Sequence, residues 1–266
     1  MITSGYSMIH RISNRYFFLI SLMVLIIFSE SGCATNQRSR QVADVHLKSA
    51  IVNIELGQFT AALRELFEAK KLNPNDPEIH FYLGVAYWGR GLKNESFEAF
   101  SQAVELRPDY SEAYNYMGLI CFEAGRYDEA IAYFKRALNN VLYDTPEFAL
   151  FNMGRAYRQK GEDLQALESF EKALQIRPNR ILPLIHNNMG TLLLSLGRTD
   201  EAILHLREAT KYAPHVADFH YSLGAALLKE GRSTEAIDEF RKVIELAPES
   251  GFAERAREML ATLPEQ

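Results

Sequence analysis

The sequence predicts an all-α protein, a solenoid of six helix-turn-helix repeats closed by a C-terminal capping helix. Three observations predict it. Eleven of the fifteen glycines fall on one ladder, with Gly57, Gly91, Gly125, Gly161, Gly197 and Gly231 on one rail and Gly84, Gly118, Gly154, Gly190 and Gly224 on the other. The rungs recur every 34 to 36 residues, the signature of a repeat architecture. Between them apolar residues return at spacings of three and four, the period of a helix face, and no strand-like alternation is evident. Five of the nine prolines (Pro74, Pro108, Pro178, Pro214 and Pro248) close successive units, since an interior proline would cost a helix about 3 kcal/mol. A two-helix unit is too small to bury a core alone, so stacking is obligatory. Length alone, 266 residues, would suggest two ordinary domains. The ladder replaces that expectation with one solenoid.

Residues 1–32 read as a targeting segment. His10, Arg11 and Arg15 give a positive start, and the apolar run from Tyr16 to Phe28 fits the core of a signal peptide. That run is shorter than the roughly 20 residues a membrane span needs. Met8 is an alternative start within it. Ser31-Gly32-Cys33 resembles the lipobox of bacterial lipoproteins, with Glu30 where that family normally has a Leu-like residue. The resemblance implies lipidation, palmitate included, at Cys33. It also implies a place at the periplasmic face of the outer membrane, because Ala34 is not the Asp that marks inner-membrane retention. Residues 33–42 are polar and read as a flexible tether. Removing 1–32 takes away Arg11, Arg15 and Glu30 and leaves a net charge of −6.

The six repeats span 43–76, 77–110, 111–144, 147–180, 183–216 and 217–250, and 251–266 is the cap. They resemble tetratricopeptide repeats, which implies the right hand of the solenoid. Repeat four carries the whole family pattern as Leu150, Met153, Gly154, Tyr157, Ala166, Phe170, Ala173 and Pro178. Gly154 and Ala166 are small so that paired helices approach closely. Gly161 ends a first helix, where a positive φ is free of Cβ strain. Asp76-Pro77 and Thr145-Pro146 read as N-caps followed by a first-turn proline. Phe252, Ala256, Met259 and Leu263 share one face of the tail, fit to cover repeat six.

Composition narrows the function. The excess of acidic over basic side chains, 34 against 29, argues against nucleic acid. Two cysteines make no disulfide framework, and Cys121 sits at a core position. His46, His80, His186 and His220 all hold position 4 of their repeats, with no second ligand four residues on, so no metal site is expected. No glycine loop follows a strand and no nucleophile–base arrangement stands out, so neither an enzyme nor a cofactor is expected.

The stripe that lines the concave groove in resembling proteins is more informative. Here it carries Leu47, Ile51, Phe81, Val85, Trp88, Leu119 and Phe122, then Phe151, Arg155 and Arg158, then Asn187 and Tyr221. Such a surface suits a peptide or helix with an apolar side, a carboxylate for Arg155 or Arg158 and a backbone group for Asn187. Packing on neighbouring repeats is the competing use of the same aromatics. The linker NNVLYDTPEFALFNMG after repeat three, where Leu142 replaces the closing proline, resembles the type IV pilus biogenesis lipoproteins. That likeness implies a scaffold for assembling or localising an outer-membrane secretin. A general envelope scaffold for polysaccharide export or outer-membrane protein assembly is an alternative. A cytoplasmic co-chaperone or adaptor is another, if the signal is retained.

Overall fold

The computed structural model describes residues 37–177 and 179–263. Among them are thirteen helices and no strand. The chain divides after Pro108 into two units. The first holds α1 (residues 37–55), α2 (Phe59–Leu72), α3 (Pro77–Gly89) and α4 (Lys93–Leu106). Within it α2 packs on α3 and α3 on α4.

The second unit holds α5 (Ser111–Glu123), α6 (Tyr127–Leu138), α7 (Pro146–Gln159), α8 (Asp163–Gln175), α9 (Leu182–Ser195), α10 (Thr199–Tyr212), α11 (Ala217–Lys229), α12 (Ser233–Leu246) and α13 (Gly251–Ala261). Each of these helices packs on the next in sequence. The first helices of successive repeats, α5, α7, α9 and α11, also touch in turn. That arrangement is what a stacked tetratricopeptide unit requires.

The glycine ladder has two physical roles. On one rail, a Cβ at Gly154 would lie 2.6 Å from Cε1 of Phe170, well inside van der Waals contact. Only glycine lets α8 drop its phenyl ring onto the backbone of α7. Phe100, Phe134 and Phe240 sit over Gly84, Gly118 and Gly224 in the same way, and Leu206 does so over Gly190. These four phenylalanines are wholly buried, each stabilising its repeat by roughly 1.5–3 kcal/mol. On the other rail, Gly161 has φ +75°, and its N–H bonds the Arg158 carbonyl at 3.0 Å as the first helix closes. The same left-handed turn recurs at the other five glycines of that rail.

Several expectations meet a different local structure. Helix α1 is already formed at residue 37, inside the segment expected to be a tether. No Gly or Pro interrupts residues 37–55, and Ala43 and Leu47 bury on one of its faces, so nothing stops the helix from running back. Asp76 caps α3 as expected, accepting from the Glu78 N–H at 3.0 Å. Thr145 precedes the first-turn proline of α7 but makes no cap bond; it hydrogen-bonds the Tyr143 phenol instead. Tyr143 anchors the long linker, and burial pushes its phenol up to about 12. Beside it Val141 and Leu142 stand exposed. Helix α13 packs on α12 and α11 and buries Ala253 and Ala256, the covering role expected of the tail. The signal segment, Cys33 and Pro178 lie outside the described residues.

Candidate functional site

The stripe residues divide into those the packing consumes and those it leaves reachable. In the first unit Leu47 belongs to the buried core, with Ile51 packed against it and half-buried. Phe81 is 9% exposed, its ring 5.6 Å from that of Phe100 and 5.2 Å from that of Tyr82. Leu47 and Phe81 are therefore structural, a correction to their place among groove-lining residues. Position 5 of the repeat turns further toward the second helix than a flat helical wheel suggests. Val85 and Trp88, one and two turns on, are half-buried and remain on the reachable face.

In the second unit the same position behaves alike. Phe151 is 8% exposed against Phe170, with ring centres 5.9 Å apart, and Asn187 is 8% exposed. Tyr221 is covered by the capping helix, with Phe252 at 5.6 Å and the Arg255 guanidinium 4.9 Å over its ring. Leu119 and Phe122 stay half-buried.

What the structure brings together is an arginine seat. The Arg155 guanidinium lies 4.6 Å over the Phe122 ring of α5 and 5.7 Å from the Phe151 ring of its own helix. Such stacking holds a cation by the ring quadrupole while leaving its edge free to donate. Arg155 donates to Oδ1 of Asn152 at 3.3 Å, and Asn152 donates in turn to Oδ1 of Asn115 at 3.3 Å. Arg158 donates to the Thr191 hydroxyl on α9 at 2.9 Å. Burial holds both guanidiniums below the ordinary arginine range, with Glu123 and Asp163 acting on them in the opposite sense.

The hydrogen bonds of both arginines go to neutral oxygens. Their half-buried guanidiniums have lost hydration, and the carboxylates of Glu123 and Asp163 offset only part of that loss. Asn187, expected to bond a ligand's backbone, is buried instead, its Oδ1 without a hydrogen-bond partner among the described residues, a correction to its place in the groove. The arrangement can accept a carboxylate at the arginines. Asn152 escaped the sequence reading, because it sits at position 6, one residue off the stripe. A second asparagine facing Asn115 was the available signal.

A cleft of about 780 Å³ between α10 and α12 offers less chemistry. Its cations are already matched: Arg207 to Glu235 at 2.7 Å, Lys211 to Glu208 at 3.0 Å and Lys242 to Glu239 at 2.8 Å.

The position-4 histidines are all engaged. His46 bonds Glu65 at 2.7 Å and His80 bonds the Pro74 carbonyl at 2.7 Å. His220 bonds Glu239 at 2.5 Å and the Pro214 carbonyl at 2.9 Å. His186 meets His205, a residue the sequence reading did not single out, Nδ1 to Nδ1 at 3.0 Å. Cys121 is buried, and burial pushes its thiol up, as befits a core residue. No described helix is long and apolar enough to cross a membrane.

Family models described as tetratricopeptide repeat match residues 78–141, 109–179, 146–215 and 187–251, and one described as TPR repeat matches 52–91. Among curated relatives, the CTR9 homolog of Arabidopsis thaliana is 23% identical over 48% of this chain, which spans only 12% of that protein. The type IV pilus assembly protein PilF of Pseudomonas aeruginosa is 24% identical over 65% of this chain and 71% of its own length. Among solved structures, PilW, described as a widely conserved type IV pilus biogenesis factor, superposes with a TM-score of 0.74 at 20% identity. The match covers 82% of this chain and 99% of PilW. The PilF structure superposes with a TM-score of 0.73 at 20% identity, over 83% of this chain and 99% of that one.

Proposed function

Because the chain belongs to the tetratricopeptide repeat family, we propose that it is a non-enzymatic protein-binding scaffold that assists type IV pilus assembly. One observation carries this reading. The likeness to PilF extends over most of both chains, whereas the CTR9 homolog shares only a short stretch of repeats. A shared run of repeats reports the fold; a shared whole layout is the better support for a shared task.

In this reading the protein acts on the assembly or localisation of the outer-membrane secretin. A lipid on Cys33 holds it to the periplasmic face of the outer membrane. The arginine seat of the second unit takes an exposed segment of the partner, and Val85 and Trp88 of the first unit are a separate reachable patch.

Deletion of the gene tests the role. Secretin multimers should fall while secretin monomer persists, and normal multimers and pili would overturn it. Palmitate labelling that vanishes in Cys33→Ser supports the anchor. For the seat, Arg155→Ala or Trp88→Ala should weaken capture of the secretin at unchanged helical content. Full capture by both variants would move the binding surface elsewhere.

A further inference from the structure

Repeat five brings two imidazoles to a spacing that a metal ion uses. His186 on α9 and His205 on α10 stand with ring centres 5.2 Å apart and their Nδ1 atoms 3.0 Å apart. That contact needs one N–H and one lone pair, so two ring nitrogens converge on a single shared proton. With metal–nitrogen bonds of about 2.05 Å, nitrogens at this separation subtend roughly 94° at the ion. That is close to the right angle of square-planar or octahedral coordination, and an opening of about 0.3 Å would reach the tetrahedral angle.

We propose that His186 and His205 bind a divalent transition-metal ion of the Cu²⁺, Ni²⁺ or Zn²⁺ class through their Nδ1 atoms, with water completing the coordination. The inference is independent of the pilus reading.

The surroundings suit the ion. His186 is half-buried under the Tyr212 ring, which stacks at 6.1 Å. Burial and the neighbouring His205 ring, helped by Arg177 and Lys211, hold His186 down to about 4 against the pull of Glu208. Burial lowers His205 as well, opposed by Glu201, Glu171 and Glu208. The Nδ1–Nδ1 contact itself requires a lone pair on one of the two nitrogens, so at least one ring is neutral and ready to ligate. On binding, the shared proton moves from Nδ1 to Nε2 of its own ring, so no proton is released. Of the three carboxylates that act on His205, Glu208 and Glu201 are bonded to Lys211 and Arg198, and Glu171 is the third. No three His, Cys, Asp or Glu side chains converge among the described residues, so the ion has two protein ligands and exchanges readily. In repeats one and six Glu65 and Glu239 occupy the register of His205, and the second imidazole is missing there.

The test uses the full chain in detergent. Cu²⁺ should give an electron paramagnetic resonance spectrum with hyperfine splitting from two imidazole nitrogens. Calorimetric titration with Ni²⁺ should weaken at least about tenfold in His186→Asn or His205→Asn. His46→Asn, in the same register of repeat one, should leave it within about twofold. A spectrum with one imidazole or none, or unchanged affinity in both variants, overturns the proposal. The spectrum of the unaltered protein decides the matter if the variants fail to fold.

Discussion

Repeats five and six are consecutive copies of one fold with opposite electrostatics at one register point. In both, a histidine at position 4 of the first helix faces position 23 of the second. In repeat six that residue is Glu239, and the two ring nitrogens of His220 meet its carboxyl group and the Pro214 carbonyl, an arrangement that favours the charged ring. Its hydrogen bond to Glu239 raises His220, while Glu239, pushed up by burial, is held down by His220 and Lys242. In repeat five the facing residue is His205, and His186 is held neutral. Backbone geometry does not choose the charge of a buried imidazole; one partner side chain does.

The largest test removes that partner. Glu239→Ala leaves a cation at the nearly buried His220, and loss of one member of a buried pair costs about 3 kcal/mol. Urea unfolding at pH 6 should show this loss, and it should shrink as pH rises through the folded pKa of His220 and the ring sheds its proton. An unchanged cost across that range would mean that the pair is not ionic.

Next comes packing. Gly190→Ala drives a Cβ against Cγ of Leu206 at 2.6 Å and the Ala202 carbonyl at 3.1 Å, neither of which can swing aside. Gly224→Ala meets only the ring edge of Phe240 at 2.8 Å, which can tilt. Overpacking of this kind costs about 1–3 kcal/mol, and Gly190→Ala should lie at the upper end of that range. Equal midpoints for the two variants in thermal melts would remove this distinction between the repeats.

The pH slopes come third and have opposite signs. His186 is lowered in the folded state, so its contribution is complete above the unfolded value near 6.5 and is lost as pH falls toward about 4. His220 is raised, so its contribution is complete below that value and is lost as pH rises through its folded pKa. His186→Phe should therefore flatten the acid limb of melting temperature against pH, and His220→Phe the alkaline limb.

The smallest effect on stability belongs to His205→Glu, which writes the repeat-six pair into repeat five. Imidazole proton resonances should then show His186 titrating above 6.5 instead of near 4. A midpoint that stays low would assign the shift to burial alone.

Most of the fold could be read before any coordinate was seen. The six first-helix and second-helix positions follow from glycine and proline spacing, because a left-handed turn and a close helix approach each admit almost nothing but glycine. The site was only partly readable. Arg155, Arg158 and Phe122 were legible from the stripe, since residues 2, 5, 9 and 12 of a helix share a side. Leu47, Phe81, Phe151 and Asn187 were assigned to that side too, yet they are buried, because the tilt of the paired helix decides which edge of a stripe it covers. Asn152 was missed because position 6 lies one residue off the stripe, and only the stacked repeats bring it to Asn115.

The amino-acid order settles where each helix starts and stops and which residues must be small, because those are local matters of φ, of missing N–H groups and of Cβ volume. It leaves open which polar groups end up without partners and which histidines meet. Arg155 stacks on Phe122, Arg158 reaches Thr191 and His186 faces His205, because side chains on different helices approach only after the stack has formed. Those meetings are where the chemistry of this scaffold resides.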